Sequence, residues 1–540
     1  MAPPKYSMHL ALSFLLLCVH AVIIFAASSD RLGQQSQDWL NHGGDLFNRR
    51  YASKEYKISP QTAPNLRLKW KFYAGKDITA TPAIYDGNLY FPSWNGYLYA
   101  VKEADGSLVW RQNLQKLTGL NATGRVNNVN WTVSRSTPTV AGNLLLIGIY
   151  GPGVVIAVKR TTGELVWKTT LDHHPAAVIT MSGTYHQGYF YVGISSLEEF
   201  VPLAECCTFR GSCVKLDVGS GAIVWKTYML PDNNNTRGGY AGASVWGSSP
   251  SIDVTRNHVY IGTGNLYSAP QRILECQERQ NNQTTPTQPD NCVEPDNHSN
   301  SMLALHLGSG KIMWYDQFGG YDLWVAACSD PSTPNCAPQA EEPDINFGEA
   351  PMMLTIYVNG IKKDIVVAVQ KSGFAWALDR DNGKLVWSRE AGPYGLVGGG
   401  IWGAATDLRR VYTNMANSGA SNFTLAPSNV TTTAGGWVAM DANNGTVLWS
   451  TANPANSTAF GPVSVANGVV FAGSADRNGY IYAIDAKSGN ILWSYKTGAS
   501  VYGGMSISNG CIYVGHGYNV SIGGFFGLTS GYYLFGFCVF

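Results

Sequence analysis

The order of apolar and polar positions repeats along this chain, and a tryptophan closes each copy. A copy has an alternating strand, a turn in which Asp, Asn or Ser stands close before Gly, and a second short strand ending in Trp, as in LYAVKEADGSLVW. Two alternating segments around a glycine turn predict a β-hairpin. The copies end at Trp110, Trp167, Trp225, Trp314, Trp387, Trp449 and Trp493.

A second hairpin precedes most of these copies. Examples are TPAIYDGNLYFPS at Thr81–Ser93 and GPVSVANGVVFAGS at Gly461–Ser474. Each repeat therefore predicts four short strands, and such units with a tryptophan at one fixed place are typical of propeller blades. The predicted fold class is all-β, a β-propeller.

The two ends of the repeated region are complementary halves of one unit. NLRLKWKFYAG, around Trp70, has the closing strand without a hairpin before it, whereas SVYGGMSISNGCIYVGHGYN, after Trp493, has inner strands without a closing strand. Joining the halves removes the exposed sheet edges that would otherwise template aggregation. We expect eight blades, one of them closed by both termini; an array that never closes is the alternative.

The composition fits a large β core and gives no sign of a nucleic-acid partner. Hydrophobic residues make up 45% of the 540 residues, and 37 Lys and Arg nearly balance 36 Asp and Glu. A chain without a basic excess has little to attract nucleic acid. Because the repeats run almost end to end, we expect one propeller domain over residues 28–540, with an insertion at about residues 266–300 between Trp225 and Trp314.

The first 27 residues have the pattern of a cleaved secretory signal. An apolar run over Met8–Ala27 follows Lys5 and leads into small residues. We expect a secreted, extracellular protein with no stable membrane span in the mature chain; an uncleaved anchor is the alternative. Ten sequons fit a secreted glycoprotein. Their asparagines are Asn121, Asn130, Asn234, Asn282, Asn297, Asn422, Asn429, Asn444, Asn456 and Asn519.

Cysteine usage agrees with an oxidising compartment. Cys276 and Cys292 flank a polar stretch, and Cys328 and Cys336 flank SDPSTPN, so each pair is expected to close a loop. An odd number is left over in the mature chain, which leaves at least one thiol unpaired or bonded to another chain. The remaining cysteines are Cys206, Cys207, Cys213, Cys511 and Cys538.

The apolar tail GGFFGLTSGYYLFGFCVF is expected to hold a buried final strand, with a processed or membrane-associated end as the alternative. No polar spacer of the kind that a lipid-anchor signal needs precedes it.

The repeat A-x-D-x-x-[TSN]-G-x-x-x-W resembles the tryptophan-docking motif of the pyrroloquinoline quinone (PQQ) dehydrogenases. The resemblance covers the chain from QDWLNHGGDLFNRRYA at Gln37–Ala52 through the last repeat. The phrases GISSLEE, CCTFRGS and FGEAPMML are similar to the polyvinyl-alcohol-dehydrogenase-like branch found in plants and bacteria. The resemblance implies an eight-bladed propeller with PQQ and calcium on its axis.

The resemblance also implies a metal site. Glu198 in VGISSLEEF matches the calcium-binding carboxylate, although Glu199 competes for that role, and Asn265 after G-T-G matches a calcium-ligating amide. Calcium prefers such hard oxygen ligands.

Five further residues match cofactor-binding positions. Trp246 in VWGSSPS corresponds to the tryptophan that stacks under the flat quinone, for which an indole offers a large apolar face. Lys371 matches the cation that polarises the quinone carbonyls, and Arg135 matches an arginine that binds a cofactor carboxylate. Thr180 and Ser195 match hydrogen-bonding positions, with ordinary strand residues as the alternative reading.

The general base is where the chain departs from the family. The phrase D-x-W-D becomes GYDLWVAAC, which puts Val325 where the catalytic aspartate would stand. In the branch with an inserted disulfide loop, the acid is in a D-x-D-F-G phrase after the loop. Here the phrase is DINFG, which keeps Asp344 at the first acidic position and has Asn346 at the second. Asp344 and Asp322 are therefore the candidates for the base that takes the alcohol proton.

The adjacent cysteines are a second departure. The family's vicinal disulfide lies in an earlier blade, whereas Cys206 and Cys207 follow the matched glutamate. They form a vicinal pair, or each bonds elsewhere, for example to Cys213. The sequence has no C-x-x-C-H, so a covalent haem is not expected and an external electron acceptor is required.

These observations predict a secreted quinoprotein dehydrogenase-like enzyme that oxidises an alcohol or polyol, polymeric or glycosidic substrates included. The alternative is a glycosylated, non-catalytic propeller that binds a cell-wall glycan or a protein. Glu198, Trp246, Asn265 and Lys371 favour the enzyme, whereas Val325 and Asn346 favour the binding protein.

Overall fold

Eight antiparallel sheets, each with four main strands, are the blades of this protein. The structure is a computed structural model that describes residues 38–124, 130–281, 291–330, 332–338 and 343–540. The predicted signal peptide at residues 1–27 and the sequon at Asn282 lie outside these residues. The eight-bladed β-propeller predicted from the repeat is confirmed.

We number the blades in chain order from the first complete one. Blade 1 has strands Ala83–Tyr85, Asn88–Ser93, Tyr97–Lys102 and Leu108–Asn113. Blade 2 has Thr139–Ala141, Leu144–Gly148, Val154–Lys159 and Leu165–Thr170. Blade 3 has Thr184–His186, Tyr189–Ser196, Ser212–Asp217 and Ile223–Tyr228, with a fifth short strand, Ala177–Val178. Blade 4 has Ser251–Asp253, His258–Gly262, Ser301–His306 and Ile312–Gln317.

The second half of the propeller repeats the plan. Blade 5 has Met352–Val358, Ile361–Val369, Phe374–Asp379 and Leu385–Glu390. Blade 6 has Ala405–Thr406, Arg410–Met415, Gly436–Asp441 and Val447–Ala452. Blade 7 has Ser464–Ala466, Val469–Gly473, Tyr480–Asp485 and Ile491–Lys496. Blade 8 has Ser506–Ser508, Cys511–Gly515, Tyr533–Cys538 and Arg67–Tyr73.

Blade 8 is built from both ends of the chain, as the half-repeats predict. The N-terminal strand Arg67–Tyr73 pairs with the last strand, Tyr533–Cys538, with Trp70 opposite Gly536. The last strand pairs in turn with Cys511–Gly515. The apolar tail therefore supplies a buried final strand.

The repeated Gly and Trp have one packing role between neighbouring blades. Trp110 of blade 1 donates its indole N–H to the Arg160 carbonyl of blade 2 at 3.0 Å, and a Cβ on Gly163 would lie 2.7 Å from the same ring. Only glycine fits so close to the indole at the positive φ that this turn requires. The pairs are Gly106 on Trp70, Gly163 on Trp110, Gly221 on Trp167, Gly310 on Trp225, Gly383 on Trp314, Gly445 on Trp387 and Gly489 on Trp449.

Trp493 differs because its neighbour is the split blade. The third and fourth strands of blade 8 are the two ends of the repeated region, so no hairpin turn joins them. Trp493 packs edge-on against Phe537 of the final strand instead, at 5.4 Å between ring centroids.

Residues 39–52, which we call the axial segment, run once around the propeller axis. The first strands of most neighbouring blades contact one another and surround that axis. The axial segment hydrogen-bonds at or next to the first strand of every blade, in chain order for blades 1 to 7, so it fastens the ring. The bonded residues are Trp39 with Ile84, Leu40 with Val140, Asn41 with Thr184, Leu46 with Ile252, Phe47 with Met353, Arg49 with Thr406, Ala52 with Val465, and Arg50 with Met505.

The remaining elements are short. The α-helices are Leu114–Thr118 and Gln271–Asn281, and the 3₁₀ helices are Ala63–Asn65, Glu198–Phe200, Ala326–Ser329 and Ser521–Gly524. Two small sheets pair Ala241–Gly242 with Leu266–Ser268, and Phe423–Thr424 with Thr431–Thr432. Over the described stretches of the chain, none of the helices has the length and apolarity to cross a membrane.

The cysteines form four disulfides. Cys276–Cys292 and Cys328–Cys336 close the two predicted loops. Of the five cysteines whose pairing was open, Cys206 bonds Cys207 and Cys511 bonds Cys538 within blade 8, while Cys213 is a buried free thiol.

One sequon is incompatible with the fold. The Asn297 side chain is only 2% exposed, and its oxygen accepts the Ser299 N–H at 3.0 Å. The structure therefore excludes a glycan at Asn297. Eight other sequon asparagines are exposed, namely Asn121, Asn130, Asn234, Asn422, Asn429, Asn444, Asn456 and Asn519.

Candidate functional site

A cavity of about 400 Å³ lies at the centre of the propeller. Residues from several blades meet there because the first strands converge on the axis. The volume lies in the range of small-molecule sites. Its polar lining residues are Arg135, Tyr150, Thr180, Ser195, Glu199, Ser244, Asn265, Tyr267, Ser329, Asp344, Asn346, Lys371 and Tyr502.

The axial segment closes the inner end of this cavity. His42 lies 2.6 Å from the Trp402 carbonyl through its ring Nε2, and Trp402 lines the cavity. The ligand must therefore enter from the opposite mouth.

Seven of the nine residues singled out in the sequence line the cavity. They are Arg135, Thr180, Ser195, Trp246, Asn265, Asp344 and Lys371. Glu198 and Asp322 are the two that do not.

Glu198 faces away from the cavity. Its carboxylate accepts the backbone N–H groups of Thr208 and Phe209, each at 2.8 Å, and it lies 3.2 Å from His174 Nε2. Glu199, the next residue of the same 3₁₀ helix, lines the cavity. Successive side chains of a 3₁₀ helix point about 120° apart, so the carboxylate available to a ligand is that of Glu199. The structure thus brings the competing candidate Glu199, rather than Glu198, to the cavity, and the calcium-binding role of either carboxylate stays a prediction.

Glu199 lies in a setting that favours its neutral form. Burial raises the pKa of its carboxyl, the nearby Asp344 carboxylate raises this pKa further, and Lys371 lowers it. The Tyr267 hydroxyl hydrogen-bonds to Glu199 and lies 2.8 Å from Ser244 Oγ. A cation placed between Glu199 and Asp344 would relieve the repulsion between the two carboxylates.

Asp344 is paired with the one lysine that lines the cavity. Lys371 Nζ lies 2.8 Å from Asp344 Oδ2, and both side chains are buried. Burial raises the pKa of Asp344, the Lys371 cation opposes the shift, and the Asp322 carboxylate adds to it. Asp344 is thus a carboxylate whose affinity for a proton exceeds that of a solvated aspartate, which a general base requires.

Asp322 lies behind Asp344, outside the cavity. Its side chain is fully buried, and its carboxylate accepts the backbone N–H groups of Asp344 at 2.7 Å and Ile345 at 3.0 Å. The Asn300 amide donates a third hydrogen bond to it, at 2.8 Å. With its oxygens used in this way, Asp322 supports the backbone at Asp344 and does not line the cavity. The geometry favours Asp344 over Asp322 as the base, and that choice stays a prediction.

Two amides join the acidic group. Asn346 Nδ2 donates to Asp344 Oδ1 and, at 3.1 Å, to Asn265 Oδ1. Asn346 Oδ1 is buried and has no hydrogen-bond partner among the residues that the structure describes. An unpaired buried carbonyl oxygen costs free energy, and a bound cation would satisfy it.

The donor set is mixed rather than purely acidic. In the described parts of the chain, no three His, Cys, Asp or Glu side chains cluster tightly enough to hold a metal. The cavity lining offers the carboxylates of Glu199 and Asp344 and the amides of Asn265 and Asn346 as oxygen donors, ligand types that suit calcium.

An aromatic wall faces this group. The Trp246 ring meets Trp402 edge-on, with centroids 4.9 Å apart and planes at 85°, and Lys371 Nζ lies 5.3 Å from the Trp246 centroid. The Arg135 guanidinium lies 4.1 Å over Trp402. Arg135 is in none of the ion pairs formed by the described residues, so the cavity holds a buried cation that lacks a carboxylate partner.

The two departures from the family lie outside the cavity. Val325 and the disulfide pair Cys206–Cys207 are buried in one apolar cluster together with Cys328, and none of them lines the cavity. No role toward a ligand follows for them.

The sequence does not identify the residues at the mouth of the cavity. Its apolar residues come from loops far apart in the chain, with no motif in common. They are Phe200, Ala326, Leu396, Val397, Ile522, Phe525 and Phe526. Only the exposure of these apolar side chains in the folded protein identifies them as one surface.

Known proteins share this architecture. The family model PQQ_2, described as outer membrane protein assembly factor BamB, matches residues 62–316 and 433–523. The chain belongs to this family. Within it, the protein is a quinoprotein alcohol dehydrogenase-like propeller, as the tryptophan-docking repeat predicts.

Curated relatives and solved structures agree. A polyvinylalcohol dehydrogenase of Pseudomonas sp. is 28% identical over 524 residues, covering 89% of this chain and 73% of that protein. The quinohemoprotein alcohol dehydrogenase ADH IIB of Pseudomonas putida is 24% identical over 432 residues, covering 73% and 53%. The quinohemoprotein alcohol dehydrogenase from Comamonas testosteroni superposes with a TM-score of 0.69 at 19% identity, covering 93% of this chain and 80% of that one.

Proposed function

We propose that this protein oxidises an alcohol with PQQ and a calcium ion held in the central cavity, and passes the electrons to a separate acceptor. The names of its relatives support alcohol oxidation. The observation that carries the proposal is the meeting of Asp344, Lys371, Asn346 and Asn265 at one point beside the face of Trp246.

The cavity fits PQQ, which is flat and carries several carboxylates. Trp246 offers a planar apolar face, and Arg135 and Lys371 supply two buried cations. The guanidinium fork of Arg135 matches a carboxylate and has no such partner within the described chain. Thr180 and Ser195 add hydroxyls to the same wall.

The oxygen donors fit calcium. Glu199, Asp344, Asn265 and Asn346 bring two carboxylates and two amides to one cavity, and Asn346 Oδ1 is buried without a hydrogen-bond partner among the described residues. Calcium accepts both ligand types and varied geometries. The ion would also hold both carboxylates ionised despite their burial.

PQQ, when bound, would supply the two-electron oxidant for the alcohol carbon. The protein supplies the base: Asp344 Oδ accepts the hydroxyl proton as the hydride leaves, so the alcohol loses two electrons and two hydrogens. Lys371 keeps Asp344 ionised until then through their 2.8 Å contact. Asp322 fixes the direction in which the Asp344 carboxylate points.

Secretion and glycosylation belong to the same proposal. The apolar run at Met8–Ala27 and the eight exposed sequon asparagines support export through the secretory route. Intact-mass measurement before and after enzymatic deglycosylation of secreted protein tests this, and an unmodified Asn297 is expected in either sample.

Reconstitution is the direct test of the activity. Purified protein is loaded with PQQ and calcium, and dye reduction is followed with a panel of alcohols. We expect alcohol-dependent reduction that disappears after chelation and returns with calcium. Trp246→Ala should weaken PQQ binding by about 1–3 kcal/mol, the scale of a stacked aromatic contact, whereas Trp493→Ala, on the outer strand of blade 7, should not.

A non-catalytic binding propeller is the second candidate, favoured by Val325 and Asn346 in place of acids. Wild-type protein that binds PQQ and calcium but reduces no dye with any alcohol would establish it over the enzyme. Protein that binds no PQQ at all would overturn the proposal entirely.

A further inference from the structure

The entrance to the cavity is apolar although its interior is polar. We call Phe200, Ala326, Leu396, Val397, Ile522, Phe525 and Phe526 the mouth ring. These residues are partly exposed, and Phe525 is 66% exposed. By contrast Arg135, Asp344 and Lys371, which line the same cavity, are buried, and Glu199 is partly exposed.

The mouth ring is a built surface rather than a scatter of exposed side chains. Four separate segments contribute to it, and neighbouring contacts hold them in place. Phe200 packs edge-on against Trp324 at 6.1 Å, and Phe526 contacts Phe460 at 6.1 Å. Next to Ile522, Ser521 Oγ lies 3.1 Å from Tyr150 OH. Contiguous apolar surface of this kind marks a binding site.

One exposed polar side chain, Ser329, lines the cavity. Its oxygen accepts the Trp324 indole N–H at 3.2 Å, and its own O–H remains able to donate. The side chains of the mouth ring themselves carry no hydrogen-bonding group, so a ligand hydroxyl held against them would leave water without gaining a partner, which is unfavourable. A ligand methylene there would be stabilised.

We infer that the substrate class is alcohols with an extended apolar body, linear or aromatic, whose single hydroxyl reaches Asp344 while the body lies against the mouth ring. This inference rests on the proposed function and narrows it. Polyols and glycans are then expected to be poor substrates. Polyvinyl alcohol, for which some relatives are named, is expected to be a poor substrate too, because it has a hydroxyl on every second carbon.

A homologous series of primary alcohols tests the inference in the PQQ- and calcium-loaded protein. We expect kcat/KM to rise about fourfold per added methylene while the chain lies within the ring, which corresponds to about 0.8 kcal/mol per buried methylene. Glycerol, methyl glucoside and polyvinyl alcohol should be poor substrates. A flat series, or a preference for any of these three, would overturn the inference.

Variants localise the effect. Phe525→Ser should reduce the ratio of kcat/KM for octanol to that for ethanol by about tenfold. The substitution removes a large apolar side chain that the alkyl chain of octanol would contact. Ile361→Ser is the matched control, since Ile361 is 73% exposed on blade 5 and does not line the cavity. Equal ratios in wild type and Phe525→Ser would contradict a role for the mouth ring.

A tertiary alcohol separates this inference from the activity itself. 2-Methyl-2-nonanol has no carbinol hydrogen, so it binds without being oxidised, and Trp246, Trp324 and Trp402 line the cavity as fluorescent reporters. We expect saturable binding that weakens on shortening the chain and in Phe525→Ser. Such binding in a protein that oxidises no alcohol would refute the proposed function but support the apolar mouth ring as a binding surface. Turnover of alcohols without chain-length-dependent binding would support the proposed function but refute the role of the mouth ring.

Discussion

The backbone N–H of Asp344 donates to the carboxylate of Asp322 at 2.7 Å, and the next N–H, of Ile345, donates to its other oxygen at 3.0 Å. Asp344 has φ +64°, a left-handed conformation that costs a non-glycine residue of the order of 1 kcal/mol or more. Hydrogen bonds to a carboxylate are stronger than neutral ones, so Asp322 offsets this cost and fixes the direction of Asp344.

Substitution separates the roles of the two aspartates. Asp322→Asn keeps one acceptor oxygen but places an NH₂ against a backbone donor, so turnover should fall by about 10- to 100-fold through misplacement of Asp344. Asp344→Asn should lower kcat by about 10²–10⁴-fold with PQQ still bound, as expected on loss of a general base. Steady-state kinetics with a PQQ titration checks both. Full activity in Asp344→Asn, with loss only in Asp322→Asn, would reassign the base to Asp322.

The buried Lys371–Asp344 pair should make the apoprotein sensitive to loss of either partner. Lys371→Met leaves Asp344 without its cation, which should lower the free energy of unfolding by about 3–5 kcal/mol. Adding Asp344→Asn should recover part of that loss, giving a coupling energy measurable in a double-mutant cycle. Lys159→Met is the control, because its 2.8 Å pair with Glu164 is exposed and should contribute no more than about 1 kcal/mol.

The loss caused by Lys371→Met should depend on pH. Lys371 lowers the pKa of Asp344 against the effect of burial, so the variant has a higher folded-state pKa than wild type. Below its raised pKa, the Asp344 carboxyl of the folded variant is neutral. The buried negative charge that Lys371 no longer compensates is then absent. The destabilisation should therefore be larger at about pH 8 than at about pH 5 in denaturant unfolding. An equal loss at both pH values would contradict the pairing.

The axial segment should be required for stability of the whole ring. Arg50 is 0% exposed and donates to Val463 O of blade 7 at 2.7 Å and to Met505 O, next to blade 8, at 3.3 Å. Arg50→Ala should leave several buried oxygens unpaired and lower the free energy of unfolding by about 3–5 kcal/mol. Arg49→Ala is the neighbouring control, since the Arg49 guanidinium forms a partly exposed ion pair with Asp45 and lies over the Phe47 ring, contacts whose loss should cost about 1 kcal/mol or less.

The repeat glycine can be tested in the same way. Gly383 has φ +73°, and a Cβ there would lie 2.6 Å from the Trp314 ring, whereas Gly360 has φ +78° and no atom within 4 Å of its Cβ position. Gly360→Ala should cost only the backbone strain, about 1–2 kcal/mol. Gly383→Ala should cost a further 1–3 kcal/mol, roughly the scale of overpacking. Similar thermal unfolding of the two variants would argue against the close Gly–Trp contact between blades.

The sequence predicts the location of a site residue well when that residue lies next to a strand of the repeat, and poorly when it lies in an irregular segment. Trp246 precedes the first strand of blade 4, Asn265 follows its second strand, and Lys371 follows the second strand of blade 5, so the geometry of the blades brings them toward the axis. Glu198 and Glu199 lie in a single turn of 3₁₀ helix outside the repeat, where a step of one residue turns the side chain to another face. Nothing in the local sequence distinguishes the two carboxylates.

The sequence by itself predicted the eight blades and the split closure of blade 8, because each unit of apolar strands, turn glycine and tryptophan buries its faces only between neighbouring blades. The residues that meet in the cavity were predicted by the resemblance of their motifs to a known family. The tertiary structure decided what depends on contacts between segments that share no motif. These are the once-around course of the axial segment, the Cys511–Cys538 bond, the support of Asp344 by Asp322 and the mouth ring. Their positions follow from closure of the propeller, which brings separate loops together at the two ends of one axis.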